Sequence, residues 1–291
     1  MTYSIVSRFA CAAVVVGVWG ASTAYAQIPF SFKFKEGVPL TYQTSHVTQV
    51  DVVTPKESNS TIASVKQRKR WDVKKVDSLG VATIELSIEA LAIEQTVPSG
   101  ESIKFDSTDV ANSDSRLAEQ LQNVVGRPIM QVSLDSDGSI KAFKHLTQRE
   151  DVLRELPFLV TVPADRLPTA GTTWRRDFPI TIEPPLASPP RTLRGVQNCK
   201  VTESNSNKLV IEVNAQLVDE VKEPKLMVPV VQFLPKGKVV LDPKLGRMVS
   251  AEMKTKEVVK DFQGEGSSYS FTSTYTEELV DSVVQQADKR E

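Results

Sequence analysis

The sequence predicts a mainly β protein: antiparallel curved sheets in two loosely repeated halves, with two short helices. Three observations carry this expectation. Apolar residues recur at every second position over most of the chain. In 82–90 (ATIELSIEA), for example, Ile84, Leu86, Ile88 and Ala90 share one face and Glu85, Ser87 and Glu89 the other. Such one-sided runs suit half-buried antiparallel sheet, since parallel sheet is apolar on both faces. Turn residues punctuate the runs at the spacing of β meanders. Only two stretches carry a helical period.

Taken in order, the first residues read as an export signal. Residues 1–8 carry one positive charge, 9–19 are apolar, and Ala24-Tyr25-Ala26 places small residues at −3 and −1 of a cleavage site before Gln27. The expected location is periplasmic or secreted. Cys11 precedes most of the apolar run, so no lipid anchor is expected. No later run is long enough to span a bilayer, so no transmembrane anchor is expected after cleavage. Removing 1–26 takes away Arg8 and no acid, which moves the formal charge from −1 to −2. That balance gives no general pull toward nucleic acid or an anionic membrane. Cys199 remains as the lone cysteine, which excludes an intrachain disulfide; its alternating surroundings place it in core or sheet. The remaining chain, about 265 residues, can bury nearly three quarters of its unfolded surface.

Phe30, Phe32 and Phe34 alternate and are expected on one sheet face. Strands are predicted at 40–53 and 61–76, separated by the polar loop 54–60 (TPKESNS). Asp77-Ser78-Leu79-Gly80 turns the chain into 82–90. The first helix is expected at 113–125 (SDSRLAEQLQNVV), with Leu117, Leu121, Val124 and Val125 on one stripe and Gly126 behind. The second follows the capping box Thr147-Gln148-Arg149-Glu150, with Val152, Leu153 and Leu156 ahead of Pro157. Pro184-Pro185 and Pro189-Pro190 mark an edge or connector. They divide the chain into a signal peptide (1–26), an N-terminal β half with both helices (27–183) and a C-terminal β half (184–285). Residues 286–291 are expected to form a disordered tail.

Two echoes support an internal repeat. Residues 132–143 (VSLDSDGSIKAF) and 239–252 (VVLDPKLGRMVSAE) both run from an apolar strand through Leu-Asp and a glycine into another strand. Residues 73–90 and 196–217 share a strand–polar turn–strand plan. The first echo also settles the reading of Asp135, Asp137 and Gly138. A calcium loop starting at Asp135 requires glycine at its sixth position and glutamate at its twelfth, where this chain has Ile140 and Leu146. The second copy replaces Ser136 and Asp137 by proline and lysine. A hairpin survives that change and a metal site does not, so no metal is assigned.

Trp71-Asp72-Val73-Lys74-Lys75-Val76-Asp77 with Gly80, Pro128-Ile129 leading into Leu134-Asp135-Ser136-Asp137-Gly138, Gly171-Thr172-Thr173-Trp174, and Gly246-Arg247-Met248-Val249-Ser250 form a set. Together they resemble a family of exported bacterial proteins classed only as a domain of unknown function, over about 32–279. The resemblance implies a β-rich exported protein and brings no catalytic residue or cofactor. Some relatives are lipoproteins; this chain lacks a cysteine at the cleavage site.

Chemistry is sparse. His46 and His145 are the two histidines, and neither has metal-site or protease spacing. There is no G-x-S-x-G elbow. Gly264-Glu265-Gly266 lacks the lysine of a phosphate loop and leads into a strand. Trp71 and Trp174 are expected to anchor cores, with indole N–H groups finding acceptors. The sharpest local feature is the basic run around Lys66, Arg68 and Arg70, which share one strand face. They form either a ledge for an anionic ligand or a solvated face that discourages edge pairing. The expected function is a non-catalytic envelope protein. It binds an apolar or amphiphilic ligand in the concavity of its sheets, or a protein partner, and uses no cofactor. The alternative is a periplasmic hydrolase using carboxylates, whose 36 acidic residues single out no pair.

Overall fold

A computed structural model describes residues 30–121, 123–147, 160–163, 168–182 and 190–280. Among the described residues, twelve strands form one open antiparallel sheet. They are β1 (Leu40–Val53), β2 (Ser58–Val76), β3 (Ala82–Thr96), β4 (Ser102–Asp106), β5 (Pro128–Leu134), β6 (Ile140–His145), β7 (Thr173–Ile182), β8 (Arg191–Ser204), β9 (Leu209–Leu217), β10 (Lys236–Asp242), β11 (Arg247–Lys260) and β12 (Ser268–Leu279). Their order across the sheet is β6-β5-β3-β2-β1-β12-β11-β10-β9-β8-β7. The long strand β3 shares one edge between two partners: β5 pairs with its first half and β4 with its last residues. Five strands descend in chain order on each side of β12. The hairpins of the first echo, β5–β6 and β10–β11, hold matching places in the two runs, as do β2–β3 and β8–β9. Pro179 lies in β7, an edge strand, where a missing N–H is tolerated.

The alternation seen in the sequence sets which face is buried. On β2, Gln67, Lys69, Trp71 and Val73 turn inward while Lys66 and Arg68 are exposed. The phase on β3 shifts midway. Arg68 faces Ala90 but Lys69 faces Ile88, which leaves Glu89 as a bulge. Ile84, Leu86 and Ile88 point to the core as expected, but Ala90 does not. Leu91 takes its place after the extra residue, at 3 % exposed. Period-two reading cannot see a bulge, since it assumes one residue per step.

One buried cluster draws on both sides of the sheet. Leu40, Tyr42, Trp71, Ile84, Leu86, Val132 and Leu134 pack with Cys199, Val201, Ile211, Val239, Leu241 and Met253. The Tyr42 and Trp71 rings meet at 5.2 Å between centroids. Residues 30–34 are not a strand, contrary to the expectation of a sheet face. Their phenylalanines are still held by core packing: Phe30 and Phe32 are buried, with rings edge-on at 5.1 Å. The segment bridges the two echo hairpins. The Phe32 N–H donates to the Ser136 carbonyl (2.7 Å) and the Lys33 N–H to the Gly246 carbonyl (2.8 Å).

Helix is scarce. α1 (Ser115–Leu121) is shorter than the predicted 113–125, because the Val124 N–H bonds the Leu121 carbonyl in a turn and Val125 bridges to Ile88 of the sheet. Asp114 caps it, accepting from the N–H groups of Arg116 (3.0 Å) and Leu117 (3.2 Å). The second predicted helix begins at Thr147 and otherwise lies outside the described residues. The sequence reading did not foresee α2 (Pro224–Met227), which starts on a proline as a first helical turn allows. With a 3₁₀ turn at Val231–Phe233, it seats Leu226 and Val230 on Ile180 and Ile182, and Val231 on Val259, Phe262 and Phe271.

Candidate functional site

The inner face is apolar at both ends and polar in the middle. There β1, β2 and β12 bring together Thr44, Gln67, Lys69, Ser273 and Glu277, all buried. Register explains the grouping. Tyr42 lies opposite Lys69 on one side of β1, and Thr44 opposite Glu277 on the other. Lys69 is 1 % and Glu277 0 % exposed. The Lys69 Nζ sits 5.7 Å from the centroid of the Tyr275 ring. The Tyr275 hydroxyl donates to Glu277 Oε2 at 2.7 Å. One row further, His46 Nε2 and Ser273 Oγ are 2.8 Å apart, and the His46 ring stands edge-on to Tyr275. A base and a hydroxyl at that distance have nucleophile geometry. Ser273 is enclosed, however, at 8 % exposed.

Beside this island the inner face is less covered. Val50, Val52, Val65 and Ile93 point inward but are only half-buried, as are His46 and Tyr275. They fall in two groups: Val65 and Ile93 beside His46 at the edge of the main core, and Val50 and Val52 beyond Thr48 against the cluster of Val231, Val259, Phe262 and Phe271. Charges held away from water are costly unless paired or hydrogen-bonded. An apolar core built for stability alone does not require them.

The outer face carries the three basic residues of the expected ledge. Lys66, Arg68 and Arg70 do share it, but acids accompany them. Arg68 Nε reaches Glu89 at 2.9 Å, and Arg70 meets Asp72 at 2.9 Å and Glu89 at 3.5 Å. The bulge at Glu89 is what lets one carboxylate serve both arginines. Lys66 lines a recess of about 300 Å³ together with Glu94, Lys104, Asp106 and Asp109.

The remaining sequence candidates are placed as follows. Asp135 pairs with Lys141 (3.0 Å) and accepts from the Ser136 N–H (2.7 Å), which together hold its carboxyl below the usual range. Asp137 accepts from the Ser139 N–H at 2.7 Å. Both therefore build the turn of the β5–β6 hairpin. Among the described residues, no group of three His, Cys, Asp or Glu is placed to hold a metal ion. His145 ends β6 against Phe143, with β5, β3 and β2 between it and the strand of His46. Cys199 is buried, and that burial pushes its thiol up to about 11. Trp71 is core as expected, but its buried indole N–H has no acceptor among the described residues, whereas the Trp174 indole donates to the Thr161 carbonyl at 2.8 Å.

Sequence reading missed Lys69 and Glu277. A signal was present: each carries charge in the apolar phase of its strand, Lys69 in step with Trp71 and Val73, and Glu277 in step with Phe271 and Tyr275.

No protein-family model and no curated protein matches the chain. Among solved structures the chain is similar to lipovitellin, from a study of its lipid–protein interactions. The TM-score is 0.43 at 11 % identity, over 86 % of this chain and 26 % of that one. It is also similar to DynF of the dynemicin biosynthesis pathway of Micromonospora chersina, with a TM-score of 0.23 at 8 % identity, over 95 % and 96 % of the two chains. Likeness at this level carries no argument about function. Among the described residues, no helix is long and apolar enough to cross a membrane.

Proposed function

We propose that this chain is an exported, non-catalytic binding protein that holds an amphiphile against the inner face of its sheet. One observation carries the reading: half-buried Val65 and Ile93 lie beside half-buried His46 and Tyr275, and Tyr275 meets the buried charges of Lys69 and Glu277. The apolar pair suits an alkyl chain. His46 and Tyr275 supply an imidazole and a phenol for a polar head, with Lys69 and Glu277 behind Tyr275 setting the charge around it. Hydrolysis by carboxylates calls for a second acid beside Glu277, and the island's other residues are Thr44, His46, Gln67, Lys69, Ser273 and Tyr275. Export rests on the signal-like residues 1–26, and the matching strand order on either side of β12 supports an origin by duplication.

The test uses the double variant Lys69→Met, Glu277→Leu. Exchanging buried charges for apolar groups of similar volume is often neutral or stabilising, by roughly 1–4 kcal/mol. The variant is expected to melt at or above the wild-type temperature. It should also lose the amphiphile that native mass spectrometry finds on wild-type protein from its own host, and the uptake of added lysophosphatidylethanolamine. Equal uptake by both proteins, or none by the wild type, refutes the reading.

A further inference from the structure

The outer face differs between the two sides of the sheet. Across β7, β8, β9, β10 and β11 runs a trough of about 900 Å³. Its floor is the backbone of one cross-strand row: Trp174, Cys199, Val213 and Gly237. The side chains of Cys199 and Val213 turn to the core, with Trp174 packed against them. The rows on either side point outward and make the walls, since successive side chains alternate faces. Those walls hold five cations, Arg175, Lys200, Lys236, Lys238 and Lys254, and one carboxylate, Glu212.

This patch is unlike the arginine ledge on β2. Arg175 pairs with Asp177 at 3.1 Å and Lys254 with Glu252 at 2.6 Å, while Lys238 stands 3.9 Å from Glu212. Lys200 and Lys236 have no carboxylate within ion-pair distance among the described residues. The middle of the trough is recessed: Asn198, Glu212 and Asn214 are half-buried, whereas all five cations are exposed. Asn214 Oδ1 is buried without a hydrogen-bond donor among the described residues. A buried acceptor of this kind ordinarily finds a partner.

We propose that the trough binds an anionic oligosaccharide. Its carboxylates or phosphates meet Lys200, Lys236 and the neighbouring cations, and its hydroxyls donate to Asn214 Oδ1 and Glu212. The chemistry needs both halves: cations alone would take any anion, and recessed acceptors call for a ligand rich in O–H groups. A single chain can lie in a trough roughly 19 Å across, four strand spacings. A flat bilayer would meet the lysine rim without reaching the amides. The site lies on the opposite face from the amphiphile site and stands independently of it.

The experiment titrates the full chain by calorimetry at low salt with trigalacturonate, against maltotriose as the neutral match. Saturable binding of the charged sugar alone is expected, weakening as salt rises. Lys200→Glu with Lys236→Glu should lower affinity by roughly tenfold or more. Asn214→Leu should lower it by roughly fivefold through the lost acceptor. Arg68→Glu, on the paired ledge, should leave it unchanged. No saturable binding, binding indifferent to the double reversal, or binding to phosphatidylglycerol vesicles but not to the sugar would each overturn the proposal. Circular dichroism of each variant separates a lost site from a lost fold.

Discussion

Cys199 shows how much one residue's setting decides. The sequence places it in an alternating stretch, and the structure buries it opposite Val213 and Trp174. Burial disfavours the thiolate and outweighs the opposing pull of Arg176, so the thiol rises from 9.0 to about 11. Because the folded value lies above the unfolded one, the folded state loses stability as pH climbs from 9 to about 11. The loss is of order 2 kcal/mol. Chemical denaturation of wild type and Cys199→Ala across that window should show the wild type losing its advantage; a constant gap would exclude this. Lys69 makes the complementary point. It reads as one more base in a basic run, yet only its phase in β2, against Trp71 and Val73, separates it from the exposed Arg68. Phase was legible in the sequence. The partners that make a buried charge tolerable come from β12, about 200 residues further along the chain.

Among the elements, the two Leu-Asp hairpins carry the clearest division of labour. Their aspartates hold the turns, and their glycines admit another chain segment. Gly138 has φ +87°, and a Cβ there would stand 2.6 Å from the Phe32 ring and 2.7 Å from the Val160 carbonyl. Gly246 has φ +60°, and a Cβ there would meet Lys33 at 2.5 Å and the Ser31 carbonyl at 2.6 Å. Each glycine thus clears space for residues 30–34, beyond serving its own turn. Alanine at Gly138 or Gly246 should cost roughly 2–4 kcal/mol from positive φ and overpacking together. At Gly171, with φ +89° and open space around it, alanine should cost only about 1 kcal/mol. Urea midpoints of the three variants test this. Equal losses would mean that residues 30–34 give way freely and do not clamp the hairpins.

At the scale of the molecule, one core joins strands from both sides of β12. Buried residues of β2, β3 and β5 share a cluster with those of β9, β10 and β11, and β1 pairs with β12 along most of its length. Neither side can expose its inner face without uncovering the other. Calorimetry should therefore record a single unfolding transition with matching van't Hoff and calorimetric enthalpies. Two separated transitions would contradict a shared core. What the residues determined alone is local: strand phase, turn positions, the shortage of helix and the pairing of the echo hairpins. These follow from alternation and turn chemistry within a few neighbours. Tertiary structure decided the bulge at Glu89, the merging of all strands into one open sheet, and the seating of residues 30–34 between two distant turns. It also decided which cations keep their charge free. Arg68 and Lys236 look alike in the chain, but register brings Glu89 to the first and only Asn214 and Lys254 to the second. A charge's availability depends on what lies across the strand, and strand partners are chosen by the whole fold.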